Sequence, residues 1–151
     1  LNQHKVESNE SISSTSKIGE DNLVNSVSRE VKLYDEKYHT EQNKVTDEIK
    51  DLYYKLKERF LELGEDVEIR PRKKYIGFIR KTNYVDVNFQ SKNLKIFLNL
   101  KKGELDDPKK ISEDVSNIGH YGNGDYQIKV DEKTDLDYVM FLVKQSYLLK
   151  I

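Results

Sequence analysis

The sequence predicts an α+β domain over residues 33–151, because the spacing of its apolar residues changes twice along the chain. Apolar residues recur every three or four positions in residues 45–63, every second position in residues 67–100, and every three or four positions after residue 134. Helices on either side of a run of strands are typical of an antiparallel sheet with helices on one face. We expect an N-terminal helix, a meander of three or four strands, a short helix, one further strand and a C-terminal helix packed on the sheet.

The predicted first helix has a single apolar stripe of about five turns. Its members are Val45, Ile49, Leu52, Tyr53, Leu56, Phe60 and Leu63. Gly64 follows the stripe, at the position where a left-handed C-terminal cap needs glycine.

The strands of the meander are predicted from four apolar runs, at residues 67–69, 75–79, 85–89 and 94–100. The second run is nearly continuous, which indicates a strand buried on both faces. Short polar breaks at residues 81–83 and 90–93 indicate hairpin turns between successive strands.

The C-terminal third carries the remaining elements. Asp107-Pro108 has the pattern of an N-cap followed by proline, and it predicts a short helix through Val115. Residues 119–124 predict a glycine-rich turn that needs positive φ at several positions. Residues 126–130 alternate as a strand, and Thr134 is expected to cap the last helix.

Residues 1–32 are expected to be a Ser-rich linker or partly disordered tail, although residues 23–31 have some helical spacing. The chain lacks a starting Met, which suggests a piece of a longer protein. It has no Cys, no apolar run of the roughly 18 residues that cross a bilayer, and no secretory signal. We therefore expect a cytoplasmic location.

The most basic part of the chain is a candidate nucleic-acid-binding segment. The whole chain has a net charge of −1, whereas residues 65–102 hold 10 Lys and Arg against 4 Asp and Glu. Cations and aromatic rings alternate here, as in surfaces that bind DNA or RNA through phosphates and stacked bases. One alternative is a solvated sheet edge whose aromatic residues belong to the core. A second alternative is another anionic partner or a protein partner. The candidate residues are Arg70, Arg72, Lys73, Lys74, Tyr75, Arg80, Lys81 and Tyr84.

A second hypothesis places a small ligand or an enzymatic site at the glycine-rich turn. Phosphate loops bind through amides at a helix N-terminus, whereas a strand is predicted to follow this turn. A structural turn is therefore the main alternative, and the ligand hypothesis requires a pocket beside the loop. The candidate residues are Gly119, His120, Tyr121, Gly122, Gly124 and Asp125.

Other chemistry finds little support in the sequence. The three histidines lack metal-ligand spacing, and Glu68-Ile69-Arg70 lacks the second strand carboxylate of a metal-dependent nuclease. Neither Ser112 nor Ser116 has the setting of a nucleophile. We expect no metal, no cofactor and no catalytic residue in this chain.

Several collinear motifs carry a resemblance to a known family. They are Val67-Glu-Ile-Arg-Pro-Arg-Lys-Lys-Tyr-Ile-Gly-Phe, Asn83-Tyr-Val-Asp-Val, Leu94-Lys-Ile-Phe-Leu-Asn-Leu, Asp107-Pro, Asp114-Val-Ser-Asn-Ile-Gly-His-Tyr-Gly-Asn-Gly-Asp and Asp137-Tyr-Val, with Tyr38-His39 upstream. From about residue 33 to residue 150, the chain resembles domain-of-unknown-function family 5655, a small uncharacterised bacterial and archaeal domain.

This resemblance implies the kind of protein that contains the domain rather than an activity of the domain itself. The family's domain typically lies at the C-terminus, behind nuclease-like or restriction-associated domains, so the resemblance implies an accessory module and an upstream nuclease-like domain as a partner. Longer members are labelled "predicted transport proteins", a label that finds no support in these residues. The family supplies no catalytic residues to carry over.

Overall fold

The computed structural model describes residues 5–6 and 34–150. Three helices and seven strands make up the described chain. The helices are α1 (Glu36–Thr40), α2 (Asp47–Leu61) and α3 (Leu136–Leu149). The strands are β1 (Lys5–Val6), β2 (Glu68–Pro71), β3 (Ile76–Arg80), β4 (Thr82–Phe89), β5 (Leu94–Leu98), β6 (Ser112–Asp114) and β7 (Tyr126–Val130).

All seven strands form one sheet, in the order β1-β2-β3-β4-β5-β7-β6. The strands β2 to β7 pair antiparallel, and the two residues of β1 pair parallel to β2 at the edge. The meander β2-β3-β4-β5 and its hairpin turns confirm the predicted α+β class. The strand β6 is an addition that the sequence did not predict.

The apolar core lies between α2, α3 and one face of the sheet. The paired residues Ile76, Val87, Ile96 and Ile128 cross the sheet as one buried row of this face. Fully burying such a side chain stabilises the fold by about 1.5–3 kcal/mol. The Ser146 hydroxyl of α3 also donates a hydrogen bond to the Tyr84 carbonyl of β4 (2.6 Å), which fixes the helix on the sheet.

The predicted first helix is α2, and its capping differs from expectation at the C-terminal end. Thr46 is the N-cap, and its hydroxyl accepts a hydrogen bond from the Ile49 amide. Gly64 does not have the positive φ of a left-handed cap. An added Cβ on Gly64 would lie 2.1 Å from the Tyr147 hydroxyl, so the Tyr147 side chain would have to move to accommodate it.

The short helix predicted from Asp107 through Val115 is wrong: a turn and the strand β6 occupy this stretch. The Asp107 carboxylate accepts hydrogen bonds from the Ser112 amide and hydroxyl, at 2.8 Å and 2.6 Å, rather than capping a helix. Lys110 has a φ of 55°, which a right-handed helix excludes. The cap of α3 also moves, from the predicted Thr134 to Asp135.

The remaining predictions for the N-terminal part concern residues that the structure mostly leaves undescribed. The helical spacing of residues 23–31 lies outside the described residues. The strand β1 lies inside the predicted linker, and the domain boundary at residue 33 stays a prediction. Among the described residues, every helix is too short or too polar to cross a bilayer.

Candidate functional site

The second face of the sheet is covered by the glycine-rich loop (residues 119–125). The ring of Phe97 on β5 is 1% exposed because Gly122 lies directly on it, where an added Cβ would come within 2.4 Å of the ring. The His120 ring stacks on Phe97 at 5.5 Å between centroids. The absence of a side chain at Gly122 therefore permits close contact between loop and sheet.

A buried carboxylate fastens this loop to the sheet. Asp86 of β4 is fully buried and accepts hydrogen bonds from the Asn123 amide (2.7 Å), the Asn123 side chain (2.8 Å) and the Asn83 side chain (2.7 Å). Burial raises the pKa of Asp86 to about 6, although the three hydrogen bonds favour the ionised carboxylate. Asp86 therefore connects the central strand to the loop.

Most of the loop residues predicted to hold a ligand make contacts inside the domain. The ring nitrogens of His120 contact the carbonyl oxygens of Ile118 (2.7 Å) and Gly124 (2.8 Å). The Asp125 carboxylate accepts a hydrogen bond from the Lys102 amide. Of the loop glycines only Gly124 has positive φ, while Gly119 is exposed. Tyr121 is 55% exposed and is the loop's contribution to a neighbouring pocket.

That pocket, which we call the basic pocket, has a volume of about 490 Å³. It lies at the end of the sheet where the β2–β3 and β4–β5 turns meet, between α1 and the glycine-rich loop. Four lysines line it together with aromatic and amide side chains, and its lining residues include no carboxylate. The lining residues are Tyr38, His39, Gln42, Lys44, Lys73, Lys74, Asn88, Phe89, Gln90, Lys95 and Tyr121.

His39 of α1 forms part of the pocket wall as a neutral ring. Its Nε2 lies 2.5 Å from the Arg72 carbonyl oxygen, so this nitrogen is the donor, and the ring stacks on Phe89. Burial lowers the pKa of His39, and it does so more strongly than the hydrogen bond to Arg72 raises it. The positive charge of the pocket therefore comes from the lysines.

The turn between β2 and β3 holds two of these lysines in a braced backbone. The Arg72 amide donates to the Tyr75 carbonyl (2.7 Å), and Lys73 and Lys74 are the central residues of this turn. The Asn88 side chain donates to the Lys74 carbonyl at 2.6 Å, while His39 donates to that of Arg72. Three hydrogen bonds thus fix the backbone from which the two side chains extend, which reduces the entropy lost on binding.

The opposite wall, α1, is anchored to α2 through one carboxylate. Glu36 accepts hydrogen bonds from the Tyr53 hydroxyl at 2.5 Å and from the Lys57 ammonium group at 2.8 Å. The Asp35 side chain caps α1 by accepting from the Tyr38 amide. These contacts hold Tyr38 at the edge of the pocket. The other tyrosine of the lining, Tyr121, comes from the glycine-rich loop.

The four pocket lysines are available to a ligand. Lys44, Lys73, Lys74 and Lys95 form no ion pair with any described residue. The Lys74 ammonium group lies 5.2 Å from the centroid of the Tyr121 ring, a weak cation–π contact. Four cations around one small pocket attract anions even though the whole chain has a net charge of −1.

The structure separates the predicted nucleic-acid-binding segment into two groups. Lys73 and Lys74 line the pocket, whereas Arg80 and Lys81 lie at the other end of β3, roughly 20 Å away at about 3.3 Å per residue. Arg80 lies over the Tyr147 ring, at 4.3 Å from its centroid.

The other members of that segment lie near or within the domain interior. Tyr84 is fully buried and donates to the Phe60 carbonyl, so its ring is not available to stack on a base. Arg70 contacts Glu68 at 3.4 Å, and burial lowers its pKa. Tyr75 is half-buried, and its hydroxyl accepts from Asn123 at 3.4 Å. Arg72 contributes its backbone carbonyl to the His39 hydrogen bond.

Eight of the eleven residues that line the basic pocket were not predicted as site residues from the sequence, namely Tyr38, His39, Gln42, Lys44, Asn88, Phe89, Gln90 and Lys95. Lys95 was visible as a polar residue of an alternating strand, on the face opposite the core. Lys44 lies in a connecting segment more than 25 residues from Lys73, and only the tertiary fold brings the two together. Across residues 5–6 and 34–150, no group of three His, Asp or Glu side chains is arranged to hold a metal ion.

Comparison with known proteins places this chain in a family without an assigned activity. An uncharacterised protein of Haemophilus influenzae is 46% identical to it over 121 residues, which is 80% of this chain and 39% of the relative. The chain thus spans well under half the length of that relative. No solved structure shows significant similarity to it. The family model for the domain of unknown function DUF5655 matches residues 37–150, and the chain belongs to that family.

Proposed function

We propose that this domain is a non-catalytic accessory module that binds nucleic acid through the basic pocket. The observation that carries the proposal is the convergence of Lys44, Lys73, Lys74 and Lys95 on one pocket whose lining lacks any carboxylate. Phosphate groups supply most of the affinity in protein–nucleic acid contacts, and lysines bind them as point charges.

The aromatic residues at the pocket favour a nucleic acid over a simple anion. Tyr121 is exposed and Tyr38 is half-buried, at two walls of the pocket. Stacking of a base on an aromatic ring contributes about 1–3 kcal/mol and tolerates any base. The side chains of Gln42 and Gln90 add donors and acceptors to the same lining.

The length of the relative supports an accessory role. Most of the Haemophilus influenzae protein lies outside the matched part, which leaves room for other domains. In this proposal a nuclease-like or restriction-associated domain elsewhere in a longer prokaryotic, cytoplasmic protein does the chemistry. The present domain holds the nucleic acid close to it, which raises the effective concentration of the substrate.

Reversing the charge of the β2–β3 turn tests the proposal. We expect the double variant Lys73→Glu/Lys74→Glu to weaken binding of a labelled single-stranded oligonucleotide by roughly tenfold or more, since two cations become two anions. Fluorescence anisotropy of the full chain at low and moderate salt measures the effect. The wild-type log–log salt slope, about −0.7 for each phosphate contacted, should become shallower in the variant.

A charge-matched variant provides the control. Lys81 and Lys101 are exposed and follow the ends of β3 and β5 that point away from the pocket. Lys81→Glu/Lys101→Glu changes the net charge by the same amount, and we expect the wild-type affinity within about twofold. Equal losses in the two variants would show that only overall charge matters, and the pocket would then lose its role.

A further inference from the structure

The shape and charge of the basic pocket suit one end of a strand better than its middle. We infer that the pocket binds a terminal phosphomonoester, the 5′- or 3′-phosphate of a nucleotide. This inference rests on the proposed function and narrows its ligand. The same phosphomonoester occurs on a free mononucleotide, and the experiment below separates the two sources.

Size is the first argument. The basic pocket has a volume of about 490 Å³ and is bounded by α1, the two turns and Tyr121. Pockets of roughly 300–1,000 Å³ accommodate one small-molecule ligand, which is the size of a single nucleotide. A continuous strand needs an open groove that tracks its backbone over several nucleotides. A compact pocket at the end of a sheet instead accepts one nucleotide unit.

Charge density is the second argument. A phosphomonoester carries about −1.5 to −2 charges at pH 7, while each phosphodiester within a strand carries one. Four lysines, unpaired among the described residues, surround this small volume. The neutral His39 beside them adds no further charge. Concentrated positive charge favours the more highly charged group, and within a nucleic acid this group occurs only at the end of a strand.

Tyr121 supplies the third argument, because it lies where the base of that terminal nucleotide would stack. Its ring is 55% exposed at the pocket, and Lys74 contacts it at 5.2 Å from the centroid. The loop beneath it is fixed by the Asn123 contacts to Asp86, so the ring is carried on a supported backbone. A phosphate on Lys73 and Lys74 would place its own nucleoside beside this ring.

The test compares short oligonucleotides of about twelve nucleotides that differ only in their end groups. The full chain is titrated by anisotropy with a 3′-labelled DNA carrying a 5′-phosphate or a 5′-hydroxyl. A 5′-labelled DNA carrying a 3′-phosphate or a 3′-hydroxyl is titrated alongside. We expect one phosphorylated end to bind roughly tenfold more tightly than its hydroxyl partner, equivalent to about 1.4 kcal/mol. Adenosine monophosphate, but not adenosine, should compete for that end.

The variant Tyr121→Ala examines the stacking contact, with Tyr54→Ala as the matched control. Tyr54 is 39% exposed on α2 and lies outside the pocket lining. We expect Tyr121→Ala to weaken binding of the phosphorylated oligonucleotide by roughly fivefold or more, and to leave competition by inorganic phosphate unchanged. Tyr54→Ala should bind as the wild type does.

The outcomes separate the inference from the proposed function. Equal affinity for phosphorylated and hydroxyl ends would overturn the terminal-phosphate inference and leave nucleic-acid binding intact. Binding of adenosine monophosphate, measured directly by calorimetry, without binding of any oligonucleotide would support the phosphomonoester site and overturn nucleic acid as its source. No binding of any of these probes at low salt would overturn both.

Discussion

Replacing Gly124 with Ala should destabilise the domain by about 2–5 kcal/mol. Gly124 has a φ of 93°, and an added Cβ would lie 2.0 Å from the Leu98 carbonyl oxygen and 2.4 Å from the Asn99 Cα. Both of these atoms belong to the backbone, so neither can rotate away as a flexible side chain could. The expected cost combines positive φ in a non-glycine residue, about 1–2 kcal/mol, with overpacking, about 1–3 kcal/mol.

Two other glycines separate the contributions to this cost. Gly103 has nearly the same φ of 92° with no atom within 4 Å of an added Cβ, so Gly103→Ala should cost about 1–2 kcal/mol. Gly119 has open space and no positive φ, and Gly119→Ala should stay within about 0.5 kcal/mol of the wild type. Urea unfolding of the full chain measures all three variants. Equal losses for Gly124→Ala and Gly103→Ala would contradict the close contact between loop and sheet.

The second large effect is a pH dependence that belongs to Asp86. Burial raises the pKa of this carboxyl from 3.8 to about 6, so the folded domain retains its proton where the unfolded chain has lost it. The stabilisation from this group is fully present below about pH 4 and is lost as the pH rises through about 6. Two pKa units correspond to roughly 3 kcal/mol.

Comparison with Asp86→Asn isolates this contribution, because the amide keeps the shape of the side chain and cannot ionise. We expect the free energy of unfolding of the wild type, minus that of Asp86→Asn, to fall by about 3 kcal/mol between pH 4 and pH 7. At Asp107, desolvation raises the pKa, but the hydrogen bonds from Ser112 and Tyr138 together outweigh it and lower the pKa. Asp107 therefore makes the free energy of unfolding rise with pH, and it does so equally in the wild type and in Asp86→Asn. Urea unfolding at several pH values gives the difference. A difference that is constant or rises with pH would contradict the account.

The fold was largely predictable because its signals are local. The stripe from Ile49 to Phe60 and the alternation from Leu94 to Leu98 each report one buried face, and both elements formed as expected. The segment after Asp107 was not predictable in this way. Its cap-and-proline pattern is satisfied equally by a turn, and the choice depends on Ser112 and on the pairing of β6 with β7, which are contacts made outside the turn.

The candidate site was less predictable than the fold, since its parts come from distant segments. Lys73 and Lys74 stood out through the local charge, but Lys44 and Lys95 join them only in three dimensions. Tyr84 lies at the alternate positions of β4 that also hold the polar Asp86 and Asn88, as a surface residue would. Its ring is nevertheless buried, because α3 and Phe60 cover it. Tyr121 was predicted as a site residue because it belongs to the glycine-rich loop, and it lines the basic pocket. The neighbouring His120 was predicted for the same reason, but its ring packs on Phe97.

The proposal that nucleic acid binds in the basic pocket is tested most directly by a nitrogen–proton correlation NMR titration of the full chain with a short oligonucleotide. Ligand in the basic pocket should shift the amide signals of the two turns, residues 72–75 and 90–93, together with those of Tyr38 and Tyr121. Changes confined to the other end of the sheet, around Arg80 and Lys81, would show that nucleic acid binds elsewhere. No change at either end would show that the pocket lysines do not bind this ligand.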